Sequence, residues 1–93
     1  MKHNVYFGGK VQSLGVDDGG TRKTVGVISP GRYEFGTGAA ERMHVVAGTL
    51  YAKLPGESDF RPYLQGTKFD VPANSSFEVE ARADVAYLCE YFD

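Results

Sequence analysis

The 93 residues predict an all-β fold, a single-domain sandwich or barrel spanning residues 1–93. Three observations lead there. Short β-rich segments, about nine of them, are separated by turn residues. Twelve Gly and four Pro are scattered through the chain without a period. No segment sustains the 3.6-residue apolar spacing of a helix. A chain of this length buries roughly 60–65% of its unfolded surface, enough for one modest core.

The elements follow in order. Tyr6 to Leu14 carries β-formers interrupted by Gly8 and Gly9, which predicts a strand bulged or bent near its start, with His3 in a frayed terminus. Asp17-Asp18-Gly19-Gly20 is a hairpin turn, because its glycines take positive φ at little cost. Lys23 to Ser29 resumes as a strand and Pro30-Gly31 turns it. Tyr33, Phe35 and Thr37 then alternate with Arg32, Glu34 and Gly36 on a strand with one apolar face, ahead of a small-residue loop from Gly36 to Ala40. Met43 to Ala47 is a strand that Gly48 tips into its return, Thr49 to Leu54.

Pro55 to Asp59 is an exposed turn. Pro62 cannot donate to a ladder, so Phe60 to Leu64 belongs at a sheet edge. Lys68 to Val71 and Phe77 to Arg82 alternate cleanly, the second as a half-buried strand. Val85 to Phe92 is apolar on both faces: Tyr87, Cys89 and Tyr91 on one, Ala86, Leu88 and Phe92 on the other, with only Glu90 polar. One face enters the core and the other needs a cover, which predicts a homodimer through this strand.

The totals exclude several classes. With 42% hydrophobic and 24% charged residues and a net charge of −2, the chain has no electrostatic footprint for a nucleic acid polymer and no basic face for a membrane. No apolar run approaches the roughly 18 residues of a membrane span, and the N-terminal stretch lacks the apolar core of a signal peptide. A single Cys forms no internal disulfide, which fits a reducing cytoplasm.

Two short motifs organise the middle of the chain. Glu41 to Gly48, ERMHVVAG, reads E-x6-G, and Gly66 to Phe77, GTKFDVPANSSF, reads G-x5-P followed by a turn. Together they resemble the two motifs of the cupin family, which implies a cupin-like β-barrel of the jelly-roll sandwich kind. The departures are at the metal ligands: Phe35 and Thr37 stand where the first motif has two His, and Phe77 where the second has one. No metal and no other cofactor is therefore expected, and a metal-dependent dioxygenase or isomerase is disfavoured.

Taken with YFGGKVQSLG, TVGVISPGRYEFGT and YLCEYF, the same stretches resemble, over nearly the whole chain, the small pyrimidine/purine nucleoside phosphorylases of the cupin fold. That resemblance implies a pentosyltransferase that takes purine and pyrimidine nucleosides plus inorganic phosphate to free base and ribose 1-phosphate. The alternative is a metal-free cupin that binds a small sugar or nucleotide as a sensor or storage module, since fold alone does not fix function.

Phosphorolysis must hold a phosphate beneath the anomeric carbon, fix the ribose and stabilise developing charge. On a barrel model Glu41 points inward at the mouth and is the first catalytic candidate, as an acceptor for ribose hydroxyls; Thr37 and Tyr33 share its presumed face and offer hydroxyls. Phe35, Met43, Phe69 and Phe77 are candidates for an apolar lining that grips a base by stacking, which tolerates any base. Lys10, Arg22 and Lys23 are the candidate phosphate cations, and Gly36-Thr37-Gly38 could offer amides. His44 follows Glu41 by three residues and so faces the other way on a strand. Cys89, among apolar neighbours, reads as a packed thiol.

Overall fold

Alternating apolar and polar residues become ten strands in the computed structural model, which describes residues 1–93. They are β1 (His3–Tyr6), β2 (Val11–Val16), β3 (Arg22–Ile28), β4 (Gly31–Thr37), β5 (Ala40–Ala47), β6 (Leu50–Lys53), β7 (Arg61–Tyr63), β8 (Lys68–Val71), β9 (Ser75–Ala81) and β10 (Val85–Phe92). One sheet has six strands in the order β1-β2-β3-β10-β5-β8, the other four in the order β4-β9-β6-β7. Every pairing is antiparallel. The two sheets face each other without joining into a closed barrel, so the sandwich half of the expectation describes the architecture.

Three local expectations are corrected. The predicted strand from Tyr6 to Leu14 is two strands folded back on each other. Phe7, Gly8 and Gly9 all have positive φ (52°, 66° and 95°), and this short 3-10 turn reverses the chain. The terminus is consequently not frayed: β1 pairs with β2 from His3↔Leu14 to Tyr6↔Val11, and His3 Nε2 lies 2.9 Å from Gln12 Oε1. The predicted loop from Gly36 to Ala40 shrinks to Gly38 and Ala39, because β5 starts at Ala40, which pairs with Phe92. Pro62 does sit on an edge, since β7 pairs only with β6.

The core lies between the sheets. Val11, Ile28, Met43, Val45, Phe69, Val71, Val85, Tyr87 and Cys89 point in from the six-stranded sheet; Tyr33, Leu50, Ala52, Phe77, Val79 and Ala81 meet them from the other. One glycine is dictated by this packing. The Tyr87 ring lies against Gly26, so a Cβ there meets ring carbon and hydroxyl at 2.6 Å and the Gln12 carbonyl at 2.7 Å. The β5–β6 turn has a similar demand: Gly48 has φ 84°, and its missing Cβ leaves room for the Asp84 carbonyl.

β10 is the centre of the larger sheet, so both its edges are paired and only its outer face is open. On that face Leu14, Val25 and Leu88 lie side by side across β2, β3 and β10. Val16, Val27, Val46 and Phe92 enlarge the apolar patch, each more than a third exposed. The neighbouring row is charged and alternates in sign: Lys23, Glu90, Arg42 and Asp70 on β3, β10, β5 and β8.

Candidate functional site

The inner face of the larger sheet carries a second set of rows, and the site is built from them. Strand register places Arg22, Tyr91 and Glu41 side by side on β3, β10 and β5, with Thr24, Cys89 and Met43 as the next inward row. Strands lie about 4.8 Å apart, so the Cα atoms of Arg22 and Glu41 are separated by about 10 Å with Tyr91 between them. A cationic and an anionic side chain thus flank one aromatic ring, facing the open end of the sandwich.

Above these rows is a cavity of about 290 Å³, near the lower end of the range for small-molecule sites. Arg22, Glu41, Met43, Tyr87, Cys89 and Tyr91 form one wall. Phe35 and Phe77, directly opposite each other on β4 and β9 with ring centroids 5.7 Å apart, form the facing wall. Gly36, Gly38 and Ala39 border the mouth, and Ile28 lies deeper. Tyr6 closes the remaining side, its ring edge-on to Phe35 at 6.4 Å, while Phe7 braces Phe35 from behind at 5.4 Å. Phe7 is held at φ 52°, an uncommon conformation for a bulky residue, and its ring is fixed by Tyr33 as well as Phe35.

Glu41 is half-buried, and its one protein partner is unusual. The Cys89 thiol donates to Glu41 Oε1 at 3.4 Å. Burial raises the Glu41 carboxyl above its ordinary value; the thiol hydrogen bond and the charge of Arg22 pull it back part of the way. Burial also raises the Cys89 thiol and the Tyr91 phenol, and pushes the Tyr87 phenol up to about 12. All three therefore stay neutral across the physiological range, and Cys89 acts as a hydrogen-bond donor. Tyr91 shares a 3.3 Å hydrogen bond with Thr24 Oγ1. The wall presents one ionisable acid and one permanent cation in otherwise neutral surroundings.

The residues expected from sequence divide between the cavity and the scaffold. Glu41, Phe35, Met43, Phe77 and Arg22 line the cavity. Tyr33 is brought elsewhere: its hydroxyl donates to the carbonyls of Ser29 and Pro30 at 2.9 and 3.1 Å, tying down the β3–β4 turn. The Thr37 hydroxyl donates to the Pro72 carbonyl at 2.7 Å and accepts from the Ser75 amide at 3.0 Å, clamping the turn between β8 and β9. Phe69 packs in the core between Tyr63 and Phe77. Lys23 points to the outer face, bonded to Asp18 and the Thr21 carbonyl, and Lys10 borders an outer groove beside Gln12 and Val27. Of the three candidate cations, Arg22 alone reaches the cavity.

Tyr6, Tyr87, Cys89 and Tyr91 were not among the candidates. The inward set Tyr87, Cys89 and Tyr91 was legible as one face of the last strand; what the sequence did not reveal is that β3 and β5 flank it. His44 faces outward, 2.6 Å from Glu90, as the strand spacing from Glu41 requires. Nowhere do three or more His, Cys, Asp or Glu side chains converge as a metal cluster.

The family model described as pyrimidine/purine nucleoside phosphorylase matches residues 1–91. A protein of Anaeromyxobacter sp. named pyrimidine/purine nucleoside phosphorylase is 59% identical over 91 residues, covering 98% of this chain and 87% of its own length. Among solved structures, a Vibrio parahaemolyticus protein described as of unknown function is similar with a TM-score of 0.94 and 52% identity, covering 98% of this chain and 97% of that one. A cupin-like protein of Thermotoga maritima shares the fold at a TM-score of 0.72 and 16% identity, covering 87% of this chain and 67% of that one.

Proposed function

The chain belongs to the pyrimidine/purine nucleoside phosphorylase family, and from that membership we propose that its cavity carries out the phosphorolysis of nucleosides. The observation that supports this reading is the row Arg22–Tyr91–Glu41 beneath an aromatic-walled cavity. In the proposed reaction a phosphate oxygen bonds to C1′ as the bond from C1′ to the base nitrogen breaks. The base leaves with that electron pair and takes up the proton that the phosphate gives up as it becomes the sugar ester. Bond breaking runs ahead of bond making, so positive charge builds on the sugar in the transition state.

Each wall has a part. Glu41 accepts hydrogen bonds from ribose hydroxyls, and its negative charge opposes the charge growing on the anomeric carbon. Arg22 holds phosphate across the row. Phe35, Phe77 and Tyr6 enclose the base by its faces, which every purine and pyrimidine offers alike. The neutral Cys89 thiol orients the Glu41 carboxylate without competing for its charge.

Purified protein incubated with a mixture of nucleosides tests the reading. Free base and ribose 1-phosphate are expected only when phosphate is present. Equal release in phosphate-free buffer, with ribose as the product, makes the site a hydrolase. Nucleoside binding with no base released makes it a binding module.

We also propose that two copies associate through the outer face of the six-stranded sheet. A two-fold axis along the strands between β3 and β10 sets Leu88 against Val25 of the second copy and Glu90 against its Lys23. The central apolar pair and the central charged pair are then both self-complementary, as a two-fold interface requires.

A further inference from the structure

Arg22 is the sole cation lining the cavity, and it is not free. Its guanidinium lies 4.0 Å from the centroid of the Tyr91 ring. Its edge is taken by the Asp93 carboxylate in a two-point contact: Nε to Oδ2 at 3.0 Å and a terminal nitrogen to Oδ1 at 3.0 Å. A planar fork stacked on an aromatic ring is the arrangement that binds carboxylate and phosphate oxygens in pairs. Arg22 also borders the adjoining groove, shared with Lys2 and Lys23, so the residue faces both the cavity and solvent.

We propose that the Arg22 fork is an oxyanion subsite that the Asp93 carboxylate fills in the empty protein, and that inorganic phosphate must displace Asp93 to bind. This rests on the reading of the cavity as a phosphorolysis site. Both partners are more than half exposed, at 56% and 60%. An exposed pair of this kind is weak, so displacement weakens phosphate binding by at most about fivefold. Asp93 thus sets the phosphate concentration at which the site fills and leaves nucleoside affinity alone. The ring of Tyr91 keeps the guanidinium in place while its carboxylate partner is exchanged.

Calorimetric titration of the full chain with inorganic phosphate, without nucleoside, tests this on four proteins. Asp93→Asn is expected to bind phosphate two- to fivefold more tightly than wild type, and Arg22→Ala at least tenfold more weakly. Asp70→Asn breaks a comparable Arg42 pair on the outer face and removes the same charge; it is expected to match wild type. Under turnover, Asp93→Asn should lower KM for phosphate and not KM for nucleoside. Equal phosphate affinity in Asp93→Asn and wild type, or the same gain in Asp70→Asn, overturns the displacement. Undiminished binding by Arg22→Ala overturns the subsite itself. Should phosphate bind as described while base release proves independent of phosphate, the subsite stands and the phosphorolysis reading falls.

Discussion

Glu41 is the residue on which activity and stability pull in opposite directions. Burial raises its carboxyl, and the weak Cys89 thiol donor and the charge of Arg22 answer it only in part. A carboxylate whose folded value lies above its unfolded one favours the folded state below the unfolded value. That advantage is lost as pH rises through the folded value. At neutral pH the ionised Glu41 therefore burdens the fold. Glu41→Gln should lower turnover by roughly 100- to 1,000-fold, the usual loss on deleting a charged transition-state stabiliser. Its melting temperature at pH 7 should equal or exceed that of wild type, with the difference closing on acidification. Turnover and thermal melts on one preparation check both. A lower melting temperature with near-normal turnover would make Glu41 a scaffold residue. The carboxylate was legible from its place in ERMHVVAG; its partner was not, because Cys89 lies 48 positions away and reads as packing until register is known.

At the level of elements, β10 organises the site, and its two apolar faces were legible in the sequence. Period-two alternation also revealed β4 and β9, because half-buried strands repeat their pattern faithfully. The N-terminal hairpin escaped because its reversal is made by Phe7 at positive φ, a conformation that a phenylalanine does not advertise. Tyr33 and Thr37 share the inward period of Phe35, so alternation marks all three equally. Only the three-dimensional structure reveals that their hydroxyls are consumed by turns. The fit between β3 and β10 is tight at Gly26. Gly26→Ala forces the Tyr87 ring or the β2 backbone to move, and overpacking of this kind costs about 1–3 kcal/mol. Denaturant melts should show that loss. Because Tyr87 also lines the cavity, KM for nucleoside should rise in the folded fraction, whereas an unchanged KM would mean that β2 gives way instead.

The molecule as a whole exposes an apolar surface that its own chain does not cover. The need for a cover was readable from the two apolar faces of Val85 to Phe92, but the extent of the patch was not, since Leu14, Val25 and Val27 join it only through sheet order. A charge at its centre tests the proposed pairing. Leu88→Glu should convert a dimer into a monomer in sedimentation or light scattering at micromolar concentration, with the circular dichroism of the sheets retained. A monomeric wild type under the same conditions ends the proposal. The candidate site lies on the opposite face of the sheet, so the monomeric variant should retain nucleoside binding.

The row Arg22–Tyr91–Glu41 has a further consequence for how the chain matures. Its members come from the first quarter, the last few residues and the middle of the sequence, and they become neighbours only when β10 slots between β3 and β5. Such long-range pairings close late, because the loop entropy they demand is large. A slip of one position in β10 would turn Tyr91 and Cys89 outward and dismantle the row. The site is therefore a certificate of correct assembly: a chain whose β10 is out of register lacks it altogether.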